Sequence, residues 1–280
     1  MTRKANLSIV GRRAAGESFT IDTGVAELIR DASRRNAFTL LIDGVEHSHV
    51  DLDDPRYLVF EYVQWFGDVV DCLASEGTPL DTVHLGGGAA TLARYIAATR
   101  PGSKQIVFEL DAALVELVRM QLPLPRSRRI RIRIGDARVG LAALATDSAD
   151  LVVRDAFLDA EVPPQLTTVE SALLVREILR PGGAYVLNVA DGVPFFKAGA
   201  DLAVLAKVFP ELAVISEPSV FRGRRHGNLV LVASGVPLPA EAIARAVAGG
   251  AAPGRVRATG EAMAMARGHR PLRDSDIVRG

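Results

Sequence analysis

The sequence predicts an α/β protein: a mostly parallel sheet covered by helices, closed by a C-terminal antiparallel hairpin and preceded by a small N-terminal β-rich segment. Three observations predict it. From residue 81 onward, short apolar runs rich in β-formers alternate with stretches of helical periodicity. Such alternation implies a parallel sheet with both faces covered. Two further apolar runs, "LAVIS" (212–216) and "NLVLVAS" (228–234), follow with no long helix between them, which reads as an antiparallel pair at the sheet edge. Finally, 280 residues, 49% of them hydrophobic, suffice for one large core or one core with an appendage.

Taken in order, residues 1–18 are polar and aperiodic and read as a flexible N-terminal arm. Residues 19–55 hold short alternating runs ("VAELIRD", "AFTLLIDGVEHSHV") and read as two to four antiparallel strands ended by "DLDDP". A helix is expected in "RYLVFEYVQWFGDVVDCLA" (56–74), opening a domain that runs to 236. Strands are expected at 81–85, 105–110, 130–134, 149–155 and 183–190, and helices at 89–99, 112–121, 168–180 and 197–208. Residues 237–280 read as one short helix and a tail rich in Ala, Gly and Arg.

Composition excludes several function classes. The formal net charge is zero, which gives no reason to expect a nucleic acid or an acidic membrane as partner. Cys72 is the single cysteine, read as an inert buried thiol, so neither a disulfide framework nor a thiolate metal cluster is expected. No apolar run approaches the roughly 18 residues of a membrane span, and the N-terminus lacks the apolar block of a signal peptide. A cytoplasmic location is the expectation.

In a doubly wound sheet, ligands bind beyond the carboxyl ends of the strands, so the residues just after each strand carry the chemistry. The first strand runs into "HLGGGAATLARY" (84–95), where Gly86, Gly87 and Gly88 allow a tight turn and close backbone approach. Thr91 stands where a dinucleotide fingerprint has its third glycine. Glu109, with Leu110 beside it, ends the second strand, placed to accept hydrogen bonds from ribose hydroxyls. After the third strand, "GDA" sets Asp136 and Ala137 where a carboxylate meets an adenine amino group, and a Pro-Gly-Gly turn feeds the fifth strand. The five parallel βα units and this set of residues resemble the Rossmann-like class I methyltransferase fold, in S-adenosylmethionine-dependent methyltransferases and their polyamine-making relatives.

Two segments resemble the spermidine synthase (polyamine aminopropyltransferase) family in particular. "LLIDGVEHSHVDLDDPRYLVFEY" (40–62) matches a β-hairpin ending in Leu-Asp-Gly-x-x-Gln, an acidic turn and a Tyr-bearing helix; His47 stands at the Gln. "DLVVRDAFLD" (150–159) matches the segment with Asp-Ser-Ser-Asp-Pro, and Asp155 falls on its first Asp, the family's proton acceptor. The resemblance spans about 38–234 and implies an adenosyl pocket lined by His47, Gly86 to Gly88, Glu109, Leu110, Asp136, Ala137 and Asp155. It implies substrate contacts at Tyr57, Tyr62 and Asp159, with the helix Tyr falling on Phe60, Tyr57 or Tyr62. The chain departs from the family at Ala89, where the glycine turn has an Asp, and at Leu158, where the second Asp is expected, with Asp159 one place late.

The resemblance implies a transferase: decarboxylated S-adenosylmethionine gives an aminopropyl group to a small amine, with Asp155 as base. S-adenosylmethionine with methyl transfer to an acceptor the sequence does not name, an anion among the candidates, is the alternative, and a non-catalytic adenosyl-binding protein the third reading. Arg222, Arg224, Arg225 and His226 lie between the last two strands, in a loop able to overhang the pocket and to suit an anion. His47 and His49 alternate onto one strand face near Asp51, but lack a third fixed ligand, so no metal is expected. The edges of the N-terminal sheet and the family habit imply a homodimer.

Overall fold

The computed structural model describes residues 9–13, 16–125, 129–158 and 161–277. Its N-terminal part is a five-stranded antiparallel meander: β1 (Ile9–Arg13), β2 (Gly16–Ile21), β3 (Gly24–Arg30), β4 (Ala37–Ile42) and β5 (Val45–Asp51). The expected arm is therefore strand from Ile9 onward. Its polar letters hide a ladder in which β1 pairs with β2 and β2 pairs with β3, a preference set by partners rather than local composition. Helix α1 (Glu61–Leu73) follows. The main sheet then alternates β6 (Thr82–Leu85), α2 (Thr91–Thr99), β7 (Gln105–Glu109), α3 (Ala112–Gln121), β8 (Ile130–Ile134), α4 (Ala137–Ala142), β9 (Ala149–Arg154), α5 (Val169–Ile178), β10 (Leu179–Asp191) and α6 (Phe196–Leu205).

The chain ends with β11 (Glu211–Ser216), α7 (Pro218–Phe221), β12 (Gly227–Ser234), α8 (Ala240–Gly249), β13 (Arg255–Arg257) and α9 (Thr259–Ala266). The eight strands of the main sheet lie in the order β13-β11-β12-β10-β9-β6-β7-β8. Pairing is parallel from β10 to β8 and antiparallel from β10 through β12 and β11 to β13. The expected class I methyltransferase arrangement is thus present. The expected tail is corrected: β13 extends the sheet edge, α9 buries Ala262 in the core beside α6, and the Trp65 indole donates to the Ala252 carbonyl at 2.8 Å. An Ala-rich stretch and a three-residue strand carry little local signal and are fixed by what they pack on.

The meander shares a core with α3. Phe19, Ile21, Ala26, Leu28, Leu40 and Val50 of the meander pack with Leu114, Leu117, Val118 and Leu122 at α3. Polar stitches reinforce the seam. Asp22 Oδ2 accepts from the Ala112 and Ala113 amides at the start of α3 (2.8 and 3.2 Å), and Thr23 donates its amide and hydroxyl to Asp111 Oδ2 (2.8 and 2.7 Å). Carboxylates at a helix N-terminus satisfy otherwise unpaired amides and suit the helix dipole. The meander is thereby held over the carboxyl ends of the parallel strands.

Candidate active site

Between the meander and those strand ends lies a cavity of about 590 Å3. Its lining includes His47, Tyr62, Gly86, Gly87, Gly88, Glu109, Leu110, Asp136, Ala137 and Asp155, ten of the residues expected from sequence. Tyr57 does not line it: its ring lies under the Arg34 guanidinium (3.9 Å) and meets His49 edge-on. Asp159 lies outside the described residues.

The glycine turn is shaped by its neighbours. Gly86 has φ of +98°, and a Cβ there would stand 2.3 Å from the Asp155 carbonyl oxygen. The glycine is required by the end of β9 as much as by any ligand, because only Gly allows that backbone approach. A Cβ on Gly88, also at positive φ, would stand 2.6 Å from Ser48 Oγ. The Gly87 and Gly88 amides donate to Glu109 Oε2 (2.9 and 3.2 Å), and the Asp111 amide donates to Oε1 (3.0 Å). Three amides therefore fix the carboxylate toward the cavity, and its remaining lone pairs can accept further hydroxyls.

Asp136 caps α4, accepting from the Arg138 and Val139 amides at Oδ1 (2.7 and 3.0 Å). Its Oδ2 accepts from Gln165 Nε2 at 3.1 Å, so two groups hold it at the cavity wall. His47 is placed by a bulge: Leu40 pairs with Ser48 but Leu41 pairs with Glu46, leaving His47 without a partner. A bulge breaks strict alternation and re-aims a side chain. His47 and Ser48 both reach the cavity, while His49 is buried beside Asp31 (Nε2 to Oδ2, 3.6 Å). The expected shared face of the two histidines is thus corrected. Burial holds the His47 imidazole below its ordinary value, against the opposing pull of Glu109 and Asp43.

Asp155 follows directly on β9. Its Oδ1 accepts from Asn188 Nδ2 at 3.1 Å, and the Tyr62 hydroxyl donates to the same carboxylate. Burial pushes its pKa up to about 6, opposed by these two hydrogen bonds and by the Arg154 charge. The Tyr62 phenol is held well above its ordinary value by burial and by the adjacent Asp155 charge, so it stays a donor. Of the aromatic residues at 57, 60 and 62, Tyr62 is the one beside Asp155, with Phe60 stacked against it at 6.2 Å. Arg154 points the other way, into a buried pair with Asp201 of α6 that also meets the Leu166 carbonyl (3.0 Å).

Among the described residues lining the cavity are six carboxylates (Asp43, Glu46, Glu109, Asp111, Asp136, Asp155) and neither a lysine nor an arginine. The basic loop stays outside. Arg222, Arg224, Arg225 and His226 are exposed, and Arg225 pairs with Glu217. Sequence reasoning missed Ser48, Gln165, Asn188 and Asn228. Asn188 had a visible signal, as the single polar letter inside the apolar run "AYVLNVA". No group of three or more metal-ligating side chains occurs among the described residues, nor a helix long and apolar enough to cross a membrane. Cys72 is half-buried, its thiol pushed up by desolvation.

No family model matches the chain. It is 32% identical over 111 residues to a probable polyamine aminopropyl transferase from Bifidobacterium longum, covering 39% of this chain but 24% of that protein. It thus spans about a quarter of that relative's length. The human methyltransferase-like protein 13, solved with SAH, shares the fold at 20% identity, with a TM-score of 0.53 over 79% of this chain and 98% of that one. The crystal structure of a probable spermidine synthase from Corynebacterium glutamicum superposes with a TM-score of 0.86 at 34% identity, over 94% of this chain and 97% of that one. With both sheets, the acid-lined cavity and the Tyr62–Asp155 contact in place, that match across nearly the whole of both chains makes this protein a member of the spermidine synthase family.

Proposed function

We propose that the protein transfers an aminopropyl group from decarboxylated S-adenosylmethionine to a small amine. The observation that carries this reading is the charge of the cavity: six carboxylates and no lysine or arginine among its described lining residues. A sulfonium and an ammonium are both cations, and such a wall offsets their desolvation. The methionine carboxylate of S-adenosylmethionine finds no cationic side chain among those residues, which counts against methyl transfer, and an anionic acceptor would be repelled.

The roles follow from position. Glu109, oriented by three amides, holds the ribose hydroxyls; Asp136 and Leu110 flank the adenine; His47 and Ser48 close the pocket from the meander. The sulfonium supplies an activated leaving group, so the protein's work is alignment and proton removal. Asp155 and Tyr62 hold the acceptor amine with its lone pair aimed at the carbon next to sulfur. The nitrogen attacks that carbon, the carbon–sulfur bond breaks with its electron pair on sulfur, and methylthioadenosine leaves. Asp155 takes the proton from the new ammonium. A homodimer and a cytoplasmic location belong to the same reading, and sedimentation of the purified protein tests the first.

Calorimetric titration with decarboxylated S-adenosylmethionine, S-adenosylmethionine and methylthioadenosine tests the reading, together with a transfer assay on short amines. Preference for the decarboxylated form with aminopropyl transfer supports it. Preference for S-adenosylmethionine replaces it with methyl transfer, and binding of none of the three removes both.

A further inference from the structure

After α9 the chain runs back over the outer side of the cavity wall that carries Asp136. Leu272 of this segment packs on the main core, His269 lies against Gly199 of α6, and a single 3-10 turn (Asp274–Asp276) follows. The segment meets the starts of two helices, and both starts belong to the cavity. Asp136 immediately precedes α4, and Gln165 lies three residues before Thr168, which caps α5. Asp136 and Gln165 both line the cavity, and Gln165 Nε2 donates to Asp136 Oδ2 at 3.1 Å.

The first amides of a helix have no partner within it. At α5 the returning segment supplies one, because the Val169 amide donates to the Leu272 carbonyl at 2.9 Å. The Thr168 hydroxyl, fully buried, accepts from the Ser171 amide at 3.1 Å and donates to Asp274 Oδ1 at 2.7 Å. Its donor and acceptor roles are thus both used. The other oxygen of the same carboxylate, Asp274 Oδ2, accepts from Arg138 Nη2 at 2.9 Å, while Arg138 Nη1 donates to the Glu170 carbonyl at 3.1 Å. A planar guanidinium held at two corners has little freedom left. The backbone amide of that Arg138 donates to Asp136 Oδ1 at 2.7 Å. One carboxylate therefore joins the residue that aims Asp136 to the residue that starts the helix behind Gln165.

We propose that Asp274 is a positioning residue for base selection: through Arg138 and Thr168 it sets Asp136 and Gln165 to favour an aminopurine over an oxopurine. This rests on the reading of Asp136 as the partner of the adenine amino group. An amino group donates to a carboxylate, whereas a ring carbonyl turns an oxygen toward it and leaves the acid without its donor. Such discrimination depends on where the acid stands, since a site built for a donor rejects the ligand that lacks one. Asp274 is half exposed, and ion pairs of that kind add little to stability. Its loss is therefore read at the ligand rather than in the fold.

The test titrates methylthioadenosine and methylthioinosine calorimetrically into the full chain. Wild type should bind the adenine nucleoside about tenfold more tightly or better, the scale of a hydrogen bond to a charged group. Asp274→Ala should cut that ratio several-fold by weakening methylthioadenosine, with a melting temperature close to wild type. Arg138→Gln should do the same, and the double variant should lose no more than either alone, because the two residues act as one unit. In the transfer assay, Asp274→Ala should raise KM for decarboxylated S-adenosylmethionine with a much smaller change in kcat. A ratio unmoved in both variants overturns the proposal, as does equal weakening of the two nucleosides, which leaves the segment a support of the fold alone. Failure of the parent reading looks different: wild type then binds the two nucleosides equally, and the proposal falls with it.

Discussion

The Asn188 amide donates to Asp155 Oδ1 at 3.1 Å while its own carbonyl oxygen lies buried without a partner. The contact favours the charged form of a carboxylate that burial pushes up to about 6. As the proposed base, Asp155 must be ionised to accept a proton, so the rate should rise with pH through about 6 and level off above it. Removing the donor in Asn188→Ala should move that midpoint to higher pH. A pH profile of kcat/KM on both proteins checks it, and an unmoved midpoint would separate Asn188 from the ionisation.

Asp155→Asn should abolish turnover while leaving methylthioadenosine binding near wild type. The same change should stabilise the fold at pH 8. The folded pKa lies above the ordinary carboxylate value, so the native state holds the proton more tightly than the unfolded chain. Wild type therefore loses stability as pH rises from the ordinary carboxylate range through about 6. The variant lacks that loss, and its advantage above it should be about 1–3 kcal/mol. Thermal melts at pH 5 and pH 8 read the difference directly.

Glu109 receives three backbone amides and is the proposed holder of the ribose. Glu109→Ala should weaken adenosyl ligands by about 10- to 100-fold, the scale of hydrogen bonds to a charged group. At saturating ligand, kcat should fall far less, because the proposed reaction takes place at Asp155. Calorimetry with methylthioadenosine, beside saturation kinetics, separates the two effects.

Behind the cavity wall, the Arg154–Asp201 pair is buried on both sides. Burial alone would lower the arginine pKa, and the Asp201 charge reverses that effect. Asp201→Ala strands a buried guanidinium and should cost about 3–5 kcal/mol of unfolding free energy. Urea denaturation measures it. A replacement of both partners by apolar residues should recover most of the loss.

How far the site was legible varies by residue. Glu109 at the end of its strand, and Asp136 and Asp155 just after theirs, stand where the topology alone directs attention, and all three reach the cavity. Tyr57 and Tyr62 looked interchangeable in sequence, because the turn between "DLDDP" and α1 decides which ring faces inward. The bulge at His47 was invisible, since one inserted residue changes register without changing any letter. Asn228 could be found only once β12 was paired with β10. The strand content before Ile21 and the role of residues 255–266 were hidden for a related reason: both depend on partners distant in the chain.

The stitching of Asp22 and Thr23 to the start of α3 has a consequence for the roof of the cavity. Swinging the meander away like a clamshell would strip the Ala112 and Ala113 amides of their partner and wet the apolar seam from Phe19 to Leu122. The roof is therefore a fixed vault, held by the same contacts that join the meander to α3.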